Sequence, residues 1–145
     1  MLNTMFKASV AFKLKGNAPM VTDEELQVIT YEGIQFLSSR TTPKSLITFD
    51  DVDEDEVNSF RAIEDGYYIR IADVPDFTGA EPTEVIDMDE ELTVALIYYV
   101  CYIVVKPKGG VPDNIKAEYL SEAERLINLY DSNFTRSGDE LYDVI

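Results

Sequence analysis

The first residues of the chain alternate between apolar and polar side chains. Lysines and a serine stand at most of the intervening positions, and the apolar positions are Phe6, Ala8, Val10, Phe12 and Leu14. A period of two is typical of a half-buried strand, and lysines on one face suit an edge strand because charge discourages unwanted pairing. Glycine and proline within residues 16–19 end the pattern. We therefore predict an amino-terminal strand arm over residues 1–20, which pairs within the chain or with another subunit.

Residues 22–39 have the apolar spacing of a helix. Thr22 precedes Glu25 by three positions, which is the spacing of a capping box at a helix start. Gly33 lies on the apolar face, where glycine costs about 1 kcal/mol relative to alanine. Its presence there indicates the close approach of another helix. The threonines and proline at 41–43 are expected to end the helix.

Two further helices are predicted in the second half of the chain. Acidic residues at 87–91 precede an apolar stretch that ends at Val105. The length and cap of this stretch favour a helix of about 17 residues over a strand. We expect its tyrosines, at positions 98, 99 and 102, to reach polar rims or subunit contacts. Helical spacing returns after Pro112 and extends to Tyr130, and the short link predicts that these two helices pack antiparallel.

Short strands are predicted between the first and second helices. Residues 60–63 and 67–71 flank an Asp-Gly pair, which is a hairpin signal, and residues 46–49 are a further candidate strand. The predicted fold class is mainly α with a small β portion (α+β), a helical bundle of about three main helices plus a β-hairpin and an N-terminal strand arm. The helical domain covers residues 21–133, with the hairpin inserted at about residues 44–80.

The last segment, residues 134–145, is predicted to be a carboxyl-terminal docking tail. It is too short to bury itself, yet it carries apolar side chains among acidic ones. Apolar anchors on a chain end commonly become ordered on a partner, and a disordered end is the alternative. The residues predicted to contact a subunit or partner are Phe6, Lys7, Val10, Phe12, Lys13 and Lys15 in the arm, and Phe134, Leu141, Tyr142 and Ile145 in the tail.

Composition narrows the possible chemistry. The 145 residues suit one domain, and a hydrophobic fraction of 46% argues against wholesale disorder. With no His and only Cys101, the chain lacks Ser-His and Cys-His catalytic pairs, a Cys/His zinc site and an internal disulfide. We expect no enzymatic activity, cofactor or metal. The longest apolar run has 12 residues, and a membrane span needs about 20, so no membrane partner is expected.

Charge is distributed unevenly along the chain, whose formal net charge is -16. Residues 1–20 carry three lysines and no acid, whereas residues 50–91 carry sixteen acids and two arginines. Opposite charges favour head-to-tail contact between copies. A solvated acidic loop with a frayed arm is the alternative.

Six of the seven residues from Asp50 to Glu56 are acidic. Alternate aspartates in this run have the spacing that opens a calcium loop. However, Glu56 stands where such a loop needs glycine, and Ala62 stands where it needs a bidentate glutamate. We therefore interpret the run as a solvated loop.

The parts follow a familiar order, which spans about residues 22–133. It comprises the capped helix 22–39, the β segment 67–71, the acidic start 87–92, the apolar stretch 95–100 and the helical segment 122–126. This order resembles that of the head-tail connector proteins of tailed bacteriophages, also called adaptor or head-completion proteins. The strand arm has no clear counterpart in that pattern.

The resemblance implies a structural protein of the virion neck, assembled in the host cytoplasm. Such a protein forms an oligomeric ring beneath the portal, extends the DNA channel and provides a platform for tail or neck proteins. In similar proteins the carboxyl-terminal segment often reaches into the portal, a role that would fall here to residues 134–145.

The net charge is compatible with DNA that passes through the ring without specific binding, because a negative lumen repels phosphates. The alternative function is that of an acidic DNA mimic, which inhibits a host nucleic-acid-binding defence enzyme. A mimic would bind a basic enzyme in a salt-dependent way as a monomer or dimer, whereas a connector would bind a portal complex.

Overall fold

The computed structural model is mainly helical with a small antiparallel sheet, so the predicted α+β class is confirmed. It describes residues 1–15, 21–48, 60–64, 67–70, 72–78, 84–105 and 114–144, with the backbone alone at 60–64, 67–68 and 133–144. The described helices are α1 (Asn3–Leu14), α2 (Asp23–Arg40), α3 (Glu90–Val104) and α4 (Asn114–Val144), and the described strands are β1 (Ile47–Thr48), β2 (Phe60–Glu64) and β3 (Tyr67–Arg70). Among these residues, no helix is both long enough and apolar enough to cross a membrane.

The apolar helix α3 lies at the centre of the fold, and α1, α2 and α4 all contact it. Its buried residues surround most of its circumference: Leu92, Thr93, Ala95, Leu96, Ile97, Val100, Cys101 and Val104. The ring of Tyr98 lies 6.4 Å from that of Tyr119 near the start of α4. Farther along α4, the Tyr130 hydroxyl contacts Asp89 at the start of α3. Helices α3 and α4 are therefore antiparallel, as predicted.

The amino-terminal segment is a helix, so the predicted strand arm is wrong. The buried residues of α1 are Asn3, Phe6, Val10 and Leu14, and a spacing of three or four residues places them on one helix face. Because a period of two also repeats every fourth residue, the same apolar positions satisfy both patterns. A helix forms all its hydrogen bonds internally, whereas a lone strand needs a partner edge. Helix α1, and not a strand, therefore packs on the apolar surface of α3.

Helix α2 follows the sequence prediction closely. The Thr22 hydroxyl accepts a hydrogen bond from the Glu25 amide at 3.1 Å, which caps the first turn. The helix ends before Thr41, whose amide bonds back to the Leu37 carbonyl. A Cβ added at Gly33 would lie 2.5 Å from Cδ1 of Leu96. The close approach of another helix at this glycine is confirmed, and that helix is α3.

The sheet has the strand order β1-β3-β2, and both pairings are antiparallel. The predicted hairpin is confirmed, while its turn at 65–66 lies outside the described residues. β1 begins one residue later than predicted because a 3₁₀ turn, Lys44–Leu46, precedes it, and the predicted residue 49 lies outside the described residues. The Arg70 guanidinium donates two hydrogen bonds to the Asp87 carboxylate, at 2.5 and 2.9 Å. This pair fastens β3 to the segment that leads into α3.

Helix α4 is longer than its apolar spacing predicted. Its backbone continues through residues 131–144 and crosses the expected boundary between the helical domain and the tail. The helix at the acidic segment, α3, begins at Glu90 with Asp89 as its N-cap residue. Its first turn is acidic, as the sequence indicated, and negative charge is favourable at that end.

Candidate functional site

Cys101, the chain's one thiol, is buried in α3 beneath α1. Its Sγ donates to the Val10 carbonyl at 3.9 Å. Burial raises the pKa of this thiol to about 12. The group is therefore protonated at neutral pH, and a thiol rather than a thiolate is a poor nucleophile. Within the described ranges, no cluster of three or more Cys, Asp or Glu side chains is placed to hold a metal.

A polar cluster joins α4 to the start of α3. The Tyr130 hydroxyl donates to Oδ2 of Asp89 at 2.6 Å and accepts from the Lys44 amide at 2.6 Å. The Ser45 amide also donates to Oδ2 of Asp89, at 3.3 Å. Burial, and then the bond to Asp89, raise the pKa of Tyr130. The cluster holds two helices and the 3₁₀ turn together, and we assign it a structural role.

Two of the residues predicted to contact a partner lie inside the fold. Phe6 and Val10 are buried in the core, and the ring of Phe6 stacks on that of Phe77 with centroids 5.8 Å apart. These side chains pack against the chain's own body because α1 turns them toward α3. Phe12, in contrast, is 74% exposed.

The three lysines of α1 and its C-cap have neighbours within the chain. Nζ of Lys7 lies 2.7 Å from the Asp23 carboxylate at the start of α2. Nζ of Lys13 donates to the Tyr98 hydroxyl at 3.2 Å. Nζ of Lys15 lies 5.9 Å from the ring centroid of Phe12 and remains on the surface. Of the predicted contact residues whose side chains the structure describes, Phe12 and Lys15 lie together on an exposed face.

The other predicted contact residues belong to the carboxyl-terminal segment. Phe134, Leu141 and Tyr142 stand on the α4 backbone. Their side chains, and Ile145 altogether, lie outside the described residues, as does the acidic run 50–56.

Exposed side chains form what we call the outer face of α1: Met5, Ala8, Phe12 and Lys15. The spacing of three and four residues places Met5, Ala8 and Phe12 opposite the buried stripe, and Lys15 is the exposed C-cap residue that follows the helix. Met5 is 55% exposed, so two large apolar side chains face outward beside a lysine. Sequence reasoning selected both Phe12 and Lys15 but put them on opposite faces, because a strand would place Phe12 with Phe6 and Val10 at even positions.

A second exposed surface, the outer face of α2, consists of Glu24, Val28, Tyr31, Glu32 and Gln35. Val28 is 60% exposed and Tyr31 is 50% exposed. Sequence reasoning missed this face. The sequence does contain a signal for this face. Val28 and Tyr31 fall between the apolar positions that define the buried side of the helix.

Helix α1 is fastened near both of its ends, which fixes the direction of its outer face. At the start, the Asn3 amide donates to the Glu84 carbonyl at 2.8 Å and the Ile86 amide donates to the Met1 carbonyl at 2.7 Å. At the end, the Tyr119 hydroxyl donates to the Lys13 carbonyl at 2.7 Å. A surface presented by a packed, hydrogen-bonded helix is preorganised for binding.

Comparison of the chain with protein-family models, with curated proteins and with solved structures finds no match. We therefore infer its function from its own sequence and geometry.

Proposed function

We propose that the chain is a head-tail connector, adaptor or head-completion subunit of a tailed bacteriophage. It acts by position, as a structural protein without enzymatic activity or cofactor. Copies form a ring in the virion neck beneath the portal, after assembly in the host cytoplasm. The ring extends the DNA channel and supports tail or neck proteins. The order of α2, the hairpin, α3 and α4, which resembles the order in connector proteins, supports this proposal.

The length of α4 is the observation that carries the proposal. Tyr130 is buried in the core, and the helix backbone continues from there to Val144. At 1.5 Å per residue this continuation measures about 20 Å. A helical extension with apolar residues near its end is suited to contacting an adjacent protein. In the connector proteins that the chain resembles, the carboxyl-terminal segment often reaches into the portal.

The charge of the chain supports a passive relation to DNA. The net charge of -16 opposes binding to phosphates, and the acids far outnumber the 12 Lys and Arg residues. A ring with a negative lumen lets DNA slide through without specific contacts.

The test is binding of the full chain to the portal protein of the phage that encodes it, measured by native mass spectrometry. We expect a complex that contains several copies of the chain. Leu141→Asp combined with Tyr142→Asp should abolish the complex while helix content, measured by circular dichroism, is retained. Leu129→Asp is the matched control, because Leu129 is an exposed apolar residue on the same helix before the extension. Failure of the wild-type chain to bind the portal would contradict the proposal.

The second candidate function is the acidic DNA mimic. The run of six acids within residues 50–56 and the net charge favour it. A mimic would bind a basic DNA-binding enzyme as a monomer or dimer, and added salt would weaken that complex. Such binding, together with failure to bind the portal, would replace the connector function by this one.

A further inference from the structure

We propose that the outer face of α1 in one copy packs on the outer face of α2 in the next copy. The inference rests on the proposed ring and names the two surfaces that build it. The occupant of the α1 face is therefore a second copy of this chain.

Exposed side chains recur at the same spacing on the two faces. On α1 the spacing from Met5 to Ala8 to Phe12 is three and then four residues. On α2 the spacing from Val28 to Tyr31 to Gln35 is also three and then four. Rows of side chains at such spacings form the ridges and grooves through which helices pack. Each face also carries an exposed aromatic ring, Phe12 or Tyr31, which is a residue type that contributes strongly to interfaces.

The charged residues at the borders of the two faces are opposite in sign. Lys15 is exposed at the end of the α1 face, while Glu24 and Glu32 are exposed on the α2 face. Two copies of a chain with a net charge of -16 repel each other over most orientations. The basic first helix offers an orientation in which this repulsion is relieved. Lys7 and Asp23 already show the same attraction between α1 and α2 inside one chain, at 2.7 Å.

A contact between two different faces is heterologous, and successive heterologous contacts close into a ring when the rotation between copies allows it. Helix α1 has 12 residues, which corresponds to a length of about 18 Å. One such helix pair is smaller than a standard protein interface and is weak alone. Closing the ring compensates for the weakness of a single contact, because every copy then makes two contacts, one through each face.

The experiment compares the mass of the full chain with that of two face variants by analytical ultracentrifugation over a range of concentrations. Phe12→Glu places a negative charge opposite Glu24 and Glu32, and Tyr31→Glu removes the aromatic ring from the α2 face. Each variant alone should shift from the assembly to a single chain of 16.4 kDa. Leu129→Glu, an exposed change outside both faces, should leave the assembly intact. Unchanged circular dichroism shows that all variants fold.

Mixing the two variants supplies the decisive result. Each variant keeps the face that the other has lost, so an equal mixture should form a complex of one copy of each and nothing larger. If Tyr31→Glu assembles like the wild type while Phe12→Glu does not, the α1 face binds something other than α2 and the inference is overturned. If both variants assemble like the wild type, other surfaces form the contacts between copies in the ring, and only this inference fails. A wild-type chain that stays monomeric both alone and on the portal overturns the ring as well.

Discussion

The hydroxyl of Tyr130 donates a hydrogen bond to the carboxylate of Asp89 at 2.6 Å, across 41 positions of the chain. The same hydroxyl accepts from the Lys44 amide. One phenol therefore connects α4, the start of α3 and the 3₁₀ turn that follows α2. These two hydrogen bonds lie where the described core ends, so they fix the point from which α4 continues toward Val144.

Tyr130→Phe is expected to lower the free energy of unfolding by about 1–3 kcal/mol, because a buried hydroxyl bonded to a charged group is lost and the Lys44 amide loses its acceptor. Urea denaturation followed by circular dichroism measures the change. Tyr31→Phe removes the same atom from an exposed ring and should leave stability within about 0.5 kcal/mol of the wild type. Equal effects of the two changes would contradict a structural role for the Tyr130 hydroxyl.

Gly33→Ala is expected to destabilise the protein, although alanine is the better helix former. The added methyl would lie 2.5 Å from Cδ1 of Leu96 and 3.0 Å from Cδ1 of Tyr99. Leu96 is fully buried and cannot withdraw without disturbing the core. Overpacking of this kind costs about 1–3 kcal/mol, and the propensity gain of about 1 kcal/mol offsets only part of it. The midpoint of urea denaturation should fall.

The matched control for that change is Gln35→Ala, on the exposed side of the same helix. It gains alanine's helix propensity without meeting a neighbour, so stability should stay unchanged or rise slightly. If Gly33→Ala stabilised the protein as Gln35→Ala does, α2 and α3 would not be in contact at this position.

Helix α2, the hairpin and α3 could be predicted from the sequence, because the local signals in these segments agree with the tertiary contacts. Thr22 supplies a cap whose geometry is local, and Gly33 marks a close approach within an otherwise regular pattern. The extension of α4 could not be predicted, because the apolar spacing weakens after Tyr130 while the backbone remains helical. Helix continuation beyond a regular apolar spacing depends on context that the spacing does not express.

The pair of Arg70 and Asp87 makes stability depend on pH. The hydrogen bonds from Arg70 lower the pKa of the Asp87 carboxyl, against an opposing effect of burial. A depressed pKa in the folded state stabilises the protein above the ordinary carboxyl pKa of about 4, and this contribution is lost as the pH falls through the folded value. Asp87→Asn should therefore reduce the free energy of unfolding at neutral pH. The difference from the wild type should shrink below about pH 4.

Both partners of that pair are partly exposed, so solvent screening keeps the expected effect modest. Asp73→Asn is the control, because the Asp73 carboxylate is exposed and lies 3.9 Å from Arg70. Its variant should follow the wild type across the whole pH range. Identical pH profiles for Asp87→Asn and Asp73→Asn would show that the bidentate pair does not form in solution.

Cys101 should resist thiol reagents while the protein is folded. The pKa of this thiol rises from 9.0 to about 12 on burial, which lowers the thiolate fraction about a thousandfold. Labelling with a disulfide reagent at mildly alkaline pH should be slow in buffer and should reach one group per chain in denaturant. Rapid labelling of the folded chain would mean that α1 does not cover α3.

The amino terminus shows why one period can mislead. The apolar residues from Phe6 to Leu14 satisfy a strand pattern at every second position and a helix pattern at every fourth. The tertiary partner decides between them: α3 is apolar over most of its surface and accepts a packed helix, whereas a strand would need an open sheet edge. The strand prediction therefore placed Phe6 and Phe12 on the same face, and the helix separates them.

The different positions of Phe6 and Phe12 give the clearest test that residues 3–14 form a helix and not a strand. Phe6 is fully buried, so Phe6→Ala should cost about 3–5 kcal/mol through lost packing and a residual cavity. Phe12 is largely exposed, so Phe12→Ala should change stability by no more than about 0.5 kcal/mol, when measured at concentrations low enough to keep the chains separate. In a strand arm the two residues would share one face, and their substitutions would have similar effects. If Phe6→Ala does not fold, the milder Phe6→Leu keeps the comparison possible, since its cost of about 1 kcal/mol should still exceed that of Phe12→Leu.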